Sequence, residues 1–168
     1  MSESDKASKV SLSNPWWRLV RMDRPIGVYL LLWPTLWGLW FAAEGVPSLR
    51  NLAIFVVGLL VMRAAGCVIN DYADRHVDGL VERTKGRPLP AGEIKPKHAL
   101  ILCGGLLVTA LVLVLQTNQL TILLSFGGLA ATAVYPFMKR FTNLPQIGLG
   151  VAWACAIPMA FEIGRAHV

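Results

Sequence analysis

In the stretch 69–90, INDYADRHVDGLVERTKGRPLP, the side chains of Asn70, Asp71, Asp74 and Asp78 have the types and spacing to do chemistry. At 100° per residue, a helix through them puts Asp74 about 40°, Asp78 about 80° and Asp71 about 100° from Asn70, a single arc. Arg63, two turns earlier, falls about 20° from Asn70, whereas His76 points the opposite way. Three carboxylates within roughly 11 Å of axial rise repel one another unless a cation sits between them. Mg²⁺ suits that position, because it takes carboxylate, amide and water oxygens and commonly keeps phosphate oxygens as further ligands. Simple pairing of Asp74 and Asp78 with Arg75 and Arg83 would explain exposed charges. It leaves Asn70 and Asp71, which lie nearer the apolar run before them, without a reason.

The segment that follows, VERTKGRPLPAGE, reads as irregular because Gly86, Pro88, Pro90 and Gly92 all interrupt a helix. Its bases Arg83, Lys85 and Arg87 hang beside the carboxylate face, where a planar fork or a mobile point charge suits phosphate oxygens. A diphosphate bridged by Mg²⁺ fits this corner. With the metal polarising it and the bases neutralising developing charge, it becomes a good leaving group. A long hydrocarbon attached to it would need apolar surroundings.

The elements that must position this corner are membrane spans. The 168-residue chain is 55% hydrophobic and only 15% charged, with a mean hydropathy of +0.54. Soluble proteins carry roughly 25% charged residues. Uncharged runs at 26–43, 99–116, 120–138 and 144–161, and a fifth at 51–70 broken only by Arg63, are about long enough to cross roughly 30 Å of hydrocarbon. The expected fold is therefore an all-α integral membrane protein with about five transmembrane helices, comprising a tail at 1–24 and a transmembrane domain at 25–161. A chain this short cannot bury five such helices in a soluble core. The bilayer is the first implied partner.

The formal charge of +6 is distributed by loop. Bases crowd the N-terminal tail, the loop after the second span and the residues Lys139 and Arg140 after the fourth, while the alternate loops hold only Arg50. The positive-inside rule puts the N-terminus and the basic loops in the cytoplasm. A nucleic-acid partner gives no reason for such alternation and is excluded. Cys67, Cys103 and Cys155 lie in apolar runs without metal-ligand spacing and read as packing residues. Residues 1–24 are too polar for a signal peptide. Trp16, Trp17, Trp33, Trp37 and Trp40 read as interface anchors, Pro34 and Pro158 as kinks, and Gly104-Gly105 and Gly127-Gly128 as close helix contacts. Arg24 leads into the first span, and Tyr135, near the cytoplasmic end of the fourth, is placed to face a cavity.

The stretches RMDRPIGVYLLLWPTLWGLW, RAAGCVINDYADRHVDGLVERTKGRPLP and YPFMKRFTNLPQIGLGVAWA resemble the N-terminal half of the UbiA superfamily of intramembrane aromatic prenyltransferases, in the branch that acts on 4-hydroxybenzoate. The resemblance covers residues 10–161. It implies a nine-helix bundle in a bacterial inner membrane, in which Mg²⁺ helps ionise a polyprenyl diphosphate. The allylic cation is then attacked by the ring carbon ortho to the hydroxyl of 4-hydroxybenzoate, in ubiquinone biosynthesis. Carried onto this chain, Asn70, Asp74 and Asp78 match the first aspartate-rich motif and hold the diphosphate through Mg²⁺, with Asp71 inside the same metal set. Arg83, Arg87, Lys139, Arg140 and Tyr135 become diphosphate contacts, and Arg24 a ligand for the aromatic carboxylate, although Arg24 serves equally as a positive-inside anchor. No obligate protein partner is implied.

The family's second aspartate-rich motif is absent: after Asp78 the only acids are Glu82, Glu93 and Glu162. The chain alone is therefore expected to be inactive, and the abrupt EIGRAHV at 162–168, which resembles one reading frame of a sequencing adapter, is expected to be a non-native tail. The competing reading is a transporter or cation-translocating fragment, which would want its carboxylates near mid-membrane.

Overall fold

The computed structural model describes the backbone of residues 14–141 and 145–165, with side chains described throughout except at 135–137, 139–141, 145, 149, 164 and 165. Among the described residues the structure is helical, without strands. Helix α1, Pro15–Leu19, starts where Asn14 accepts a hydrogen bond from the Trp16 amide at 2.9 Å and proline fills the first turn, the position where its missing N–H costs nothing. Helix α2 is Ile26–Ala42. It continues through Pro34, which removes the donor to the Leu30 carbonyl, and Thr35 Oγ1 donates to Leu31 O at 2.8 Å one step along.

Helix α3, Leu49–Asp78, is 30 residues long, capped at its start by Ser48, whose hydroxyl accepts from Asn51 N at 3.3 Å. At 1.5 Å per residue it spans about 45 Å, half as long again as a hydrocarbon core. The excess carries its last polar turns beyond the lipid. The apolar run ends near Asn70, but the helix continues to Asp78, so the arc of four polar residues is physically one face.

Helices α4, Pro96–Val114, and α5, Gln119–Phe141, follow. The expected fifth span is two helices, α6 Pro145–Ala154 and α7 Ala156–Arg165, meeting at Cys155. Pro158 explains the break, because it has no N–H to donate to the Ala154 carbonyl four residues back. Cys155 N still donates to Val151 O at 3.2 Å. Three segments are long and apolar enough to cross a membrane, α3, α4 and the 146–163 stretch of α6 and α7, while α2 and the 119–134 part of α5 are apolar but shorter.

Helix α3 packs most extensively on α4, α2 on α7, and α5 on α6 and α7. The α3–α4 seam is made of small residues, Ala65 and Val68 against Ala99 and Cys103, joined by Leu19 from α1 and by Leu89 and Ile94 from the loop between α3 and α4. Small side chains let helices approach closely in lipid, where dispersion rather than water expulsion drives packing. Gly104 and Gly105 are turned off that seam and Gly127 also faces open space, so these glycines do not mark close contacts; Gly128 does, since a Cβ there would lie 3.2 Å from that of Cys155. At the other end, Leu39 and Phe55 close on Ala160 and Ile163. The tryptophans assigned as anchors are all exposed, Trp37 at 61%, and Trp33 lies midway along α2, away from a span end.

Candidate functional site

The polar end of α3 is enclosed from two sides. On one side lies the turn-rich loop 79–95, and its shape follows from a few contacts. Buried Thr84 donates its hydroxyl to the Asp78 carbonyl at 2.9 Å, satisfying an end carbonyl of α3. The Arg87 amide donates to Thr84 O at 3.0 Å, and Leu89 and Ile94 are buried in the core. Anchored before and after, Arg87 turns back over α3. Its Nη1 donates to Asp71 Oδ1 at 3.2 Å and also pairs with Asp78 Oδ2.

On the other side lies the link between α1 and α2. Arg21 adopts a left-handed conformation, φ 59°, which a side chain adopts only when its surroundings hold it there. Its Nη2 donates to the same Asp71 Oδ1 at 2.9 Å. Arg63, from α3, donates to the carbonyls of Arg21 at 3.4 Å and Arg24 at 3.1 Å. Arg18 donates to Gly86 O at 3.5 Å and pairs with Glu93, tying α1 to the loop.

Asp71, fully buried, is therefore the anion on which two guanidiniums converge. Its Oδ2 has no hydrogen-bond partner among the described residues. Asp78 is buried under Arg87. Arg75, the partner sequence reasoning offered to Asp74 or Asp78, instead donates to the Tyr72 carbonyl at 2.6 Å and lies over the Tyr72 ring. Asp74 is half-buried on the same face. Among the described residues no three His, Cys, Asp or Glu side chains converge as a ready metal cage.

Two adjoining cavities open here. One of about 330 Å³ is bordered by charged and polar residues, Arg21, Arg24, Arg63, Asn70, Asp71 and Arg87. A largely apolar one of about 660 Å³ runs between the helices past Leu31, Phe55, Leu111, Phe126 and Met159 to Thr117 and Thr121. Gly27, Arg63, Cys67 and Asn70 border both. A volume of that order holds a small ligand or an isoprenoid segment. Of the expected site residues, the structure thus brings together Asn70, Asp71, Asp78 and Arg87. It puts Arg24 at the rim, its side chain 72% exposed and 3.6 Å from Asp23, and leaves Arg83 exposed. The side chains of Tyr135, Lys139 and Arg140 lie outside the described residues. Arg21 and Arg63 were not assigned roles from the sequence. For Arg63 the helical arc held a signal, while nothing local marks Arg21.

Residues 31–167 match the UbiA prenyltransferase family. The chain belongs to that family. It is 63% identical over 144 residues to a 4-hydroxybenzoate octaprenyltransferase of Ectopseudomonas mendocina, covering 86% of this chain and 49% of that protein. A Vibrio cholerae 4-hydroxybenzoate octaprenyltransferase is 62% identical over 146 residues, covering 87% and 51%. The chain spans about half the length of the curated relatives it matches. Among solved structures, a UbiA homolog from Archaeoglobus fulgidus bound to GPP and Mg²⁺ superposes with a TM-score of 0.75 at 25% identity, over 90% of this chain and 54% of that one. The same homolog bound to DMAPP and Mg²⁺ gives 0.73 at 24%. The all-helical intramembrane fold of the UbiA family is thus established for this half.

Proposed function

We propose that this chain forms the first half of the site of a prenyltransferase that moves a polyprenyl group from its diphosphate to the ring carbon ortho to the hydroxyl of 4-hydroxybenzoate, in ubiquinone biosynthesis. The observation that carries this reading is the junction of the two cavities: an apolar channel of about 660 Å³ opens beside Asn70 onto the carboxylate and guanidinium face of α3. One molecule with an anionic head and a hydrocarbon tail fits both. In the reaction the allylic C–O bond breaks, the electron pair leaves with the diphosphate, a C–C bond forms to the ring, and the ring loses a proton.

The donor set fits Mg²⁺. Asn70, Asp74 and Asp78 offer hard oxygens, and the buried Oδ2 of Asp71 has no partner among the described residues. Mg²⁺, when bound, draws electron density from the diphosphate and makes it a better leaving group. Asn70, Asp74 and Asp78 would hold the metal, and with it the head group, at the polar end of α3. Arg87, and Arg83, Lys139, Arg140 and Tyr135 with it, offset or contact the charge of the departing diphosphate. Apolar walls from α2, α3, α4, α5 and α7 hold the chain and keep water from the allylic carbon. In this reading the protein lies in a bacterial inner membrane with its N-terminus and basic loops cytoplasmic, a topology that the positive-inside rule supports.

A cation-translocating role gains nothing from the structure, since Asp71, Asp74 and Asp78 gather at one end of α3 instead of along a path through the helices. The test of the proposal is prenyl transfer by the complete enzyme that contains this half, with Mg²⁺, 4-hydroxybenzoate and a polyprenyl diphosphate. D74A or D78A is expected to abolish product formation while the protein still inserts and purifies. Undiminished turnover in both variants refutes the site.

A further inference from the structure

The apolar cavity has a definite length. At 1.5 Å per residue its α3 wall, from Asn70 back to Ile54, runs for about 24 Å. Helix α5 lies beside that wall and points the same way. A Cβ on Gly66 would lie 3.9 Å from Thr132 Cγ2, and a matching interval nearer the start of both helices Arg50 Nη2 donates to Gln116 O at 3.0 Å. The cavity therefore ends where α4 turns into α5, far from the carboxylate face. An extended isoprene unit advances about 5 Å, four C–C bonds of about 1.5 Å in zigzag. A chain whose head group sits beside Asn70 thus has about five units alongside this wall.

Two residues one turn apart on α3 decide how the far end closes. Gly58 borders the cavity, and a Cβ there would meet nothing within 4 Å, so the bore is open at its level. Phe55 borders the cavity one turn nearer the end. It is buried, clustered with Leu39 of α2 and with Ala160 and Ile163 of α7. On the α5 side the same end is bordered by Thr117 and Thr121. Thr117 donates its hydroxyl to Val114 O at 2.6 Å. Thr121 is fully buried, its amide held by Asn118 Oδ1 at 2.8 Å and its hydroxyl without a partner among the described residues. A hydrocarbon gains little by covering hydroxyls, so the end is closed by bulk on one side and by polarity on the other.

We propose that Phe55 is the floor of the donor channel and sets how much of the prenyl chain the protein reads, about five isoprene units, with Gly58 keeping the bore open above it. The proposal rests on the prenyl-transfer reading above and adds a selecting residue at the opposite end from the chemistry. Units beyond the floor lie outside the channel and add nothing to selection.

The test is competition among geranyl, farnesyl, geranylgeranyl, hexaprenyl and octaprenyl diphosphates, mixed in equal amounts with 4-hydroxybenzoate, Mg²⁺ and the complete enzyme that contains this half. Product ratios within one mixture do not depend on how much of a variant is folded, and comparing variant with wild type in one detergent cancels partition of the donors into micelles. In the wild type, product should rise about 10-fold or more from the geranyl to the geranylgeranyl donor, the scale of burying a few more CH₂ groups, and the hexaprenyl and octaprenyl donors should be used equally. G58L places a side chain in the bore one turn above the floor and replaces glycine with a better helix former. It should lower the octaprenyl-to-farnesyl product ratio about 10-fold. F55A should raise the hexaprenyl-to-geranylgeranyl ratio about 5- to 10-fold by making room for one more unit. A wild-type yield that keeps climbing from the hexaprenyl to the octaprenyl donor would overturn the floor. Product ratios unchanged in both variants would overturn it too, leaving the proposed reaction intact. If no donor yields a prenylated 4-hydroxybenzoate, the reaction and the floor fall together.

Discussion

Replacing Asp71 with asparagine tests the electrostatic centre of the structure. Asp71 Oδ1 accepts from Arg21 at 2.9 Å and from Arg87 at 3.2 Å, with the carboxylate side chain 0% exposed and the two guanidinium side chains 26% and 23% exposed. Removing one partner of a fully buried ion pair costs about 3–5 kcal/mol, because the other charge is left uncompensated. Both arginines retain some contact with water, and asparagine keeps one acceptor oxygen. Roughly half of that cost, about 2 kcal/mol, is therefore expected for D71N. At about 2–4 °C per kcal/mol for a chain of this size, the thermal midpoint should fall by about 4–8 °C. The assay is a melting curve of purified protein in detergent without substrate, run as a double-mutant cycle with R87M. If Asp71 anchors Arg87, the cycle should show a coupling of about 1 kcal/mol or more. A D71N protein that melts with the wild type, or a cycle that sums without coupling, would refute the view that this carboxylate organises the two arginines.

Three further outcomes follow from the same geometry. G27A should displace Arg63 yet leave the midpoint nearly unchanged, since alanine's better helix propensity of about 1 kcal/mol offsets a weakened guanidinium bond of similar size; a midpoint lowered by several degrees would show that Arg63 cannot yield to the added methyl group. E93Q removes the counter-ion of Arg18, and is expected to raise amide hydrogen exchange across 79–95 and around Arg87 without changing exchange in α4; unchanged exchange would mean that Leu89 and Ile94 hold the loop unaided. The 168-residue chain, assayed alone with Mg²⁺, 4-hydroxybenzoate and a polyprenyl diphosphate, should release no product above background, because it supplies one acidic face and no second aspartate cluster.

The polar face of α3 was legible because helical period is a property of the chain itself: once residues 51–78 are helical, Asn70, Asp71, Asp74 and Asp78 must share an arc whatever packs around them. The irregular loop was legible for a similar reason, since Gly86, Pro88, Pro90 and Gly92 act locally. The break before Pro158 was foreseen as a kink; its consequence, two helices where one span was expected, follows from a single missing donor. Of the paired glycines, Gly128 marks a close contact as expected, while Gly104, Gly105 and Gly127 do not. Whether a glycine faces a neighbour depends on which side of the helix the seam occupies, and in α4 Ala99 and Cys103 take that side.

The sequence by itself determined the membrane class, the rotational grouping of the carboxylates and the sign of the charge beside them, because these depend on composition and local period. Only the tertiary structure decided which base meets which acid. Arg21 reaches Asp71 across fifty residues and Arg87 across sixteen, so both pairings depend on how the link between α1 and α2 and the loop 79–95 fold back over the end of α3. It also separated Arg63 from Arg24. From the sequence Arg63 lies inside a span on the side of the carboxylate arc and Arg24 leads into the first span; packing turns the one against Gly27 at the cavity junction and leaves the side chain of the other 72% exposed.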